Sequence, residues 1–374
     1  MGDPHRIGIV GLGSISAAYL KTLVESPAVV ITAVADLDAA RASTVASELP
    51  AARASSVADL LASDEVDTVL NLTIPAAHAE IAHGAISHGK DVYGEKPLAV
   101  TMDDARGIMA AASRAHVRVG SAPDTVLGTG TQTARAAIDG GTIGRPIAAT
   151  AMMVTPGHES WHPNPDFYYL PGGGPLLDMG PYYISALIQL LGPVRSVVGA
   201  ASRLRSERTI TSGARTGERI PVEVQTHVSG VLEHADGALS TLTTSFDGVA
   251  TTAAPIEIHG EEGTLAVPDP NLFAGEVRVI ARGSRQWRSV DVAAGLIDAS
   301  RGAGLLDFIA AGRDQRPPRA SGALALHCLD IMTALLESAQ TGRRIELTTT
   351  VDRPEAVPLT PAPAWRSGSA SSGF

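Results

Sequence analysis

Lysine is nearly missing from this chain. Of its 29 basic residues only Lys21, Lys90 and Lys96 are lysines, and arginine carries the remaining charge. A lysine kept in Tyr93-Gly94-Glu95-Lys96-Pro97 points to a need that arginine cannot meet, such as an amine whose pKa burial can lower towards neutrality. Lys21 and Lys90 read as solvated surface lysines, one on a polar helix face and one ahead of a strand. Cysteine is scarcer still. Cys328 stands alone, which excludes an internal disulfide, and its neighbours Leu326, Leu329 and Met332 mark it as helix core. Positive charge is also short: a net charge of −10 and no Lys/Arg cluster argue against a nucleic-acid surface. No apolar run reaches the roughly 18 residues of a membrane span. The N-terminus runs from Met1 to Arg6 straight into a strand, without a signal-peptide layout, so a cytoplasmic protein is expected. At 374 residues, 44% of them hydrophobic, the chain is long for one core, and two domains are the default.

What is present begins with glycine. Ile7-Gly8-Ile9-Val10 reads as a short apolar strand, Gly11-Leu12-Gly13-Ser14-Ile15-Ser16 as a turn, and the periodic run to Val24 as a helix. Strand, glycine turn and helix form the context of a dinucleotide fingerprint. Gly11 permits the tight turn; Gly13, with Ser14 and Ile15, lets main chain approach a pyrophosphate at the helix N-terminus. The third small position is Ser16. A second strand, Val29 to Ala35, ends at Asp36, whose carboxylate suits the adenosine ribose hydroxyls and repels a 2′-phosphate, favouring NAD, while Arg41 nearby leaves NADP possible. Helices Leu37–Leu49, Val57–Ala62, Ala77–His88 and Met102–His116 then alternate with strands Val66–Thr73, Asp91–Gly94 and Arg118–Ser121. That alternation predicts a doubly wound parallel sheet over residues 1–122. Ligands bind beyond the carboxyl ends of such strands, where Thr73, Pro75, Glu95 and Lys96 fall. Pro97 keeps Lys96 out of helical geometry, on a turn. His78, opening the next helix, is a candidate cofactor contact.

From these residues the chain resembles the Gfo/Idh/MocA oxidoreductase family, over roughly residues 5 to 350. The resemblance rests on Gly11-Leu12-Gly13, Thr73-Ile74-Pro75-Ala76-Ala77-His78, Glu95-Lys96-Pro97 and Gly172-Gly173-Gly174-Pro175-Leu176-Leu177-Asp178-Met179-Gly180. It implies that Lys96 and Asp178 stand at the nicotinamide and the substrate. Where the family often has a catalytic histidine, four residues after the aspartate, this chain has Tyr182, as in the glucose-fructose oxidoreductase branch. Where many members have a second aspartate it has Ser185. The resemblance also implies a homodimer or homotetramer formed through the second domain's sheet.

From Pro123 the pattern changes. A helix, Thr125–Asp139, leads into strand-like runs at Ile147–Thr155, Val194–Leu204, Val222–Leu232, Ala238–Ser245, Ile256–His259, Thr264–Val267, Val277–Ala281 and Trp287–Val292. Helices are expected at Leu176–Leu191, Gly304–Arg313 and Ala323–Gln340, the last packing back near the first domain. Successive strands predict an α+β domain over residues 123–350 with a large, mostly antiparallel sheet. Residues 351–374, rich in proline and then serine and glycine, are expected to be a mobile tail. His158-Glu159-Ser160-Trp161-His162 matches a zinc-protease pattern, but Pro156, Gly157, Pro163 and Pro165 deny it the continuous helix that chemistry needs, so no metal is expected. With Trp161, Phe167, Tyr168 and Tyr169 close together, the segment reads instead as a substrate loop carrying His158, Trp161 and His162. Asp124 reads as a substrate ligand or a helix N-cap.

Together these readings predict an NAD(P)-dependent dehydrogenase or reductase moving hydride at a CH–OH carbon of a sugar or polyol. Lys96 or Tyr182 would handle the proton and Asp178 would orient the hydroxyl. Two other expectations share the same residues: an NAD-dependent glycoside hydrolase working by transient oxidation and elimination, and a non-catalytic sensor of NAD and sugar.

Overall fold

The computed structural model describes residues 3–368. Main-chain contacts divide the chain into two compact units: residues 1–129, 293–326 and 354–374, and residues 130–292 with 327–353. The chain therefore returns to its first unit twice, so a division at residue 122 into successive blocks does not describe it.

The first unit is built on β1 (His5–Val10), β2 (Val29–Ala35), β3 (Arg53–Ala54), β4 (Thr68–Asn71), β5 (Asp91–Gly94) and β6 (Val119–Ser121). They form one parallel sheet in the order β3-β2-β1-β4-β5-β6. Its central strands read as apolar runs because both faces are covered: Ile7, Ile9, Val69, Leu70 and Tyr93 have no exposed surface. Helices α1 (Ser16–Leu23), α2 (Ala39–Ser47), α3 (Val57–Ala62), α4 (His78–Ser87) and α5 (Met102–Ala115) supply the crossovers. Side-chain caps from Asp38, Ser56 and Thr101 start α2, α3 and α5. The predicted helix Thr125–Asp139 is interrupted. Thr125–Leu127 is a short 3₁₀ turn, Gly128 is extended, and α6 begins at Thr129 and runs to Asp139. The break lets Gly128 pair with Leu296, where a Cβ on Gly295 would come within 2.6 Å of the Gly128 carbonyl.

The second unit is built on a sheet of nine strands. They are β7 (Pro146–Val154), β8 (Val194–Ser202), β11 (His227–His234), β12 (Leu239–Ser245), β13 (Ile256–Gly260), β14 (Gly263–Val267), β15 (Val277–Ala281), β16 (Arg288–Val290) and β17 (Ile345–Glu346), with β9 (Glu207–Thr209) and β10 (Arg219–Pro221) as a separate hairpin. The sheet order is β16-β15-β14-β13-β7-β12-β11-β8-β17, antiparallel except for the β7–β12 pair. Residues 222–226, expected in a strand, form the link between β10 and β11. Helix α7 (Pro175–Leu191) packs against this sheet. After α8 (Ala303–Arg313) in the first unit, the long α9 (Gly322–Thr341) lays its Leu335 into a groove left by Gly199 and Gly230, which face each other across β8 and β11. A Cβ at either glycine would come 2.4 Å from Leu335, so any larger residue would lift the helix from the sheet. Residues 327–341 of α9 thus belong to the second unit, not to the first. By length and hydropathy α9 could cross a membrane, yet His327, Asp330 and Ser338 on it are buried and hydrogen-bonded within this unit. On the sheet, Val198 and Val231 are paired, and both are exposed.

The tail is packed as far as residue 368. Pro358 and Thr360 bridge to Ala294 and Leu296, and the short α10 (Ala362–Arg366) buries Trp365, whose indole N–H donates to the Ile297 carbonyl at 2.9 Å. Proline prevents regular structure here, but Val357 and Trp365 bury enough apolar surface to hold the segment down. Residues 369–374, also expected to be mobile, lie outside the described residues.

Candidate active site

In the first unit the site is made of main chain at strand ends. Gly11 has φ +92°, and a Cβ there would sit 2.7 Å from the Leu72 carbonyl, so only glycine fits between β1 and β4. Gly13 differs: a Cβ on it would meet no atom within 4 Å. Packing does not demand a glycine there, whereas close approach by a bound group does. Ser14 and Ile15 are exposed beside it, and α1 starts without any side-chain N-cap, its Ser16 and Ala18 amides donating back to the Gly13 and Ile15 carbonyls at 3.0 and 3.1 Å. This is a cradle that a dinucleotide pyrophosphate fits.

Asp36, at the end of β2, accepts the Leu12 N–H at 2.7 Å and the Asp38 N–H at 2.8 Å, with the Arg41 guanidinium at 3.3 Å. Burial opposes its charge, but the Asp38 and Leu12 amides and then Arg41 outweigh it, and the carboxyl lies below its ordinary pKa. The glycine turn and the acidic residue are therefore one hydrogen-bonded structure. On either side of that turn, Leu37 after β2 and Ile74 after β4 are strongly exposed aliphatic residues. Sequence reasoning passed over both, because an exposed leucine carries no signal until its neighbours are known.

Beyond β4 and β5 the loops are braced from below. Asn71 accepts the Thr73 N–H at 3.2 Å and the Thr73 hydroxyl at 2.6 Å, and its side-chain amide donates to the His78 carbonyl. Pro75 opens a 3₁₀ turn into α4. His78 is a correction: it is buried, with Nδ1 2.7 Å from the Pro97 carbonyl and Nε2 3.1 Å from that of Thr73. Both nitrogens stand against main-chain carbonyls of the two loops, and the single N–H of the neutral ring donates to one of them. Burial keeps its pKa below the usual histidine value in spite of those carbonyls. Glu95 is buried too. It accepts the Tyr19 hydroxyl of α1 at 2.8 Å and the Lys96 N–H at 3.0 Å. Lys96 is half-buried, joined to Pro97 by a cis peptide bond. Lys90, expected on the surface, is instead buried, and its ammonium donates to the Ser63 and Val66 carbonyls at 2.6 and 2.8 Å.

Asp124 requires a second correction. It has no exposed surface, and its carboxylate accepts the Gly302 and Gly304 N–H groups at 2.8 and 3.2 Å, with Arg301 at 3.3 Å. It caps α8, nearly 180 residues away in sequence, rather than a substrate or its own helix. Burial raises its pKa against the pull of Arg301 and those amides.

In the second unit the site is made of side chains. Asp178 in the first turn of α7 and Tyr182 one turn later share a face of the helix. Tyr182 is buried. Ser185 turns its hydroxyl back onto the Pro181 and Tyr182 carbonyls of its own helix, at 2.6 and 3.1 Å. Ahead of α7, Gly174 has φ +94°, and a Cβ on Gly173 would lie 2.4 Å from the Phe167 carbonyl. The glycine run thereby lets the loop of residues 155–170 press against the α7 N-terminus. Across that contact His158 Nε2 stands 3.1 Å from Asp178 Oδ2.

The rest of the loop is held from below. Glu159 is buried and receives the Arg208 guanidinium at 2.7 Å and the Tyr169 hydroxyl. Arg208, also buried, donates in addition to Asp247 at 2.5 Å and to the Pro156 and Phe246 carbonyls. Residues 158–161 form a single turn, with Glu159 spent on Arg208 and His158 facing Asp178, which is not the layout of a zinc protease. Trp161 is exposed, edge-on to His158 and His162. His162 is half-buried and accepts the Asn164 N–H.

Comparison with known proteins agrees with this architecture. Residues 5–122 match the family model described as "Oxidoreductase family, NAD-binding Rossmann fold", and residues 131–266 match "GFO/IDH/MocA C-terminal domain", together more than half of the chain. The chain is 28% identical over 268 residues to a 1,5-anhydro-D-fructose reductase of Ensifer adhaerens, spanning 70% of this chain and 75% of that one. It is also 28% identical over 292 residues to a dTDP-3,4-didehydro-2,6-dideoxy-alpha-D-glucose 3-reductase of Streptomyces antibioticus, spanning 73% and 86%. A levoglucosan dehydrogenase solved with NADH and levoglucosan shares the fold, with a TM-score of 0.77, 21% identity, and coverage of 92% of this chain and all of that one. The glycine cradle, the strand order and both matches place this chain in the Gfo/Idh/MocA family of NAD-binding oxidoreductases.

Proposed function

We propose that this protein moves hydride between NAD and a CH–OH carbon of a sugar or polyol. The observation that carries the reading is the pair of built loops beyond β1 and β5. One is a glycine turn joined through the Leu12 amide to Asp36; the other is the Lys96 turn, fixed by Glu95, which is itself anchored on Tyr19. NAD, when bound, accepts hydride at its C4. Asp36 would hold the adenosine ribose, Leu37 and Ile74 would offer apolar faces to the adenine, and the amides at Gly13 to Ile15 would receive the pyrophosphate. As the carbinol C–H leaves with its electron pair, the O–H proton must pass to the protein, leaving a carbonyl. Lys96 and Tyr182 are the groups assigned that proton, and Asp178 orients the hydroxyl. Trp161, with His162 beside it, offers an exposed aromatic edge of the kind sugars pack against.

A panel of aldoses and polyols, run with NAD and NADP in parallel and followed by reduced-nicotinamide absorbance, tests the reaction class. Lys96→Met is expected to lower kcat by roughly 10²–10⁴ while NAD binding persists. Turnover within a few fold of wild type would remove Lys96 from the chemistry. Tyr182→Phe with an unchanged pH–rate profile would leave the proton to lysine. Cleavage of a glycoside without accumulation of NADH would turn the assignment to the eliminating hydrolase.

A further inference from the structure

His158 is held more tightly than a loop residue requires. Its ring is packed by Tyr168, Phe246 and Trp161, with centroids at 4.1, 4.6 and 5.1 Å. Its main-chain N–H donates to the Tyr169 hydroxyl at 3.2 Å, and that hydroxyl is tied through Glu159 to Arg208. Packed in this way, the ring presents Nε2 to Asp178 at 3.1 Å. Both side chains of this pair are mostly buried, at 11% and 15% exposure. Nδ1 is buried without a hydrogen-bond partner. A ring nitrogen facing a carboxylate is a donor, so the proton of a neutral ring belongs on Nε2. The other charged or titratable groups around the ring are Glu159 and Arg208, paired with each other, Asp247 beyond them, and Tyr168, Tyr169 and His162 of the same loop.

We propose that His158 is the positioning residue of Asp178: from a loop twenty residues upstream it fixes the carboxylate's orientation and keeps it charged and accepting. A hydrogen bond to the charged form of an acid favours that form, and a carboxylate held by a fixed donor keeps one orientation towards a substrate hydroxyl. This rests on the assignment of Asp178 to the substrate hydroxyl.

The test uses the full chain as His158→Phe, which fills the aromatic box without a donor, and His158→Gln, whose amide can donate from the place of Nε2. Asp178→Asn serves as the reference. Assays follow NADH formation with whichever aldose or polyol in the panel reacts fastest, and NAD binding and thermal midpoints report folding. His158→Phe is expected to lose at least ten-fold in kcat with KM little changed, and to move the acid limb of kcat upward by about one pH unit. His158→Gln is expected to recover most of that loss. Wild-type rate and acid limb in His158→Phe, with Asp178→Asn inactive, would overturn the role of His158 and leave the oxidoreductase reading standing. Full activity in Asp178→Asn would sink the assignment of Asp178 itself. Should His158→Phe fail to fold, imidazole ¹⁵N NMR decides: the His158 Nε2 resonance must shift in Asp178→Asn, and an unmoved resonance overturns the pairing.

Discussion

The two compact units present their candidate functional residues by opposite means. In the first unit the cofactor cradle is mostly main chain: a glycine turn, strand ends and the amides of Leu12 and Asp38 around Asp36. In the second the candidate groups are side chains, and the loop that bears them stands on a buried ion network. Arg208 joins Glu159 and Asp247, residues 49 and 39 positions away, and Thr226 donates to Asp247 at 2.5 Å. A main-chain cradle is as rigid as the sheet that carries it. A site on a charge network inherits that network's weakness, because removing one partner leaves the others buried and unpaired.

The largest effect should come from breaking that network. Arg208→Met leaves the buried Glu159 and the half-buried Asp247 without their guanidinium, and urea denaturation should show a loss of about 3–5 kcal/mol. A loss below about 1 kcal/mol would mean that the loop stands without the network and that the contrast is false. A second weak point of this unit is acid. His327 Nε2 accepts the Val194 N–H at 3.2 Å, so its proton sits on Nδ1, towards Thr349. Burial lowers its pKa to about 4, against the opposing pull of Asp330. The folded state therefore binds fewer protons than the unfolded one between about pH 6.5 and 4. Stability is full above the unfolded value and falls as pH drops, by roughly 2–3 kcal/mol at pH 4.5 from this residue. His327→Gln should flatten that slope, and equal slopes in urea melts at pH 7 and pH 4.5 would exclude the histidine as its source.

The smallest effect belongs to the first unit. Asp36→Ser exchanges a carboxylate that accepts the Leu12 and Asp38 amides for a hydroxyl that can accept one of them, so stability should fall by only about 1–2 kcal/mol. With Arg41 released, the ratio of kcat/KM for NADP over NAD should rise by about ten-fold or more. A large stability loss with an unchanged ratio would show that Asp36 is structural and that the two regions are less different than proposed.

The same contrast explains what could be read before the fold was known. Gly11, Gly13 and Asp36 announce themselves because a strand, a turn and a helix in succession are local, and their spacing is geometry already. Asp178 and Tyr182 were legible as neighbours for the same reason, being one helical turn apart. His158 was placed on a substrate loop, but its bond to Asp178 was invisible, since Gly173 and Gly174 create that contact only once main chains meet. Lys90 and Asp124 misled for a related reason. A lysine before a strand and an aspartate before a helix look like surface and cap, yet one is buried under the carbonyls of Ser63 and Val66, and the other caps α8 from far away.

Taken alone, then, the sequence determined the parallel sheet, the cofactor cradle, the mostly antiparallel second sheet and the candidate helix face. Hydrophobic period and glycine placement act over a few residues and survive without context. Only the tertiary structure decided that the chain returns twice to its first unit, that Trp365 seals the tail onto it, and that Arg208 carries the loop holding His158 against Asp178. Those choices depend on which distant charges and apolar surfaces must be buried together, and a desolvated partner is defined by where the chain folds, not by how far away it lies in sequence.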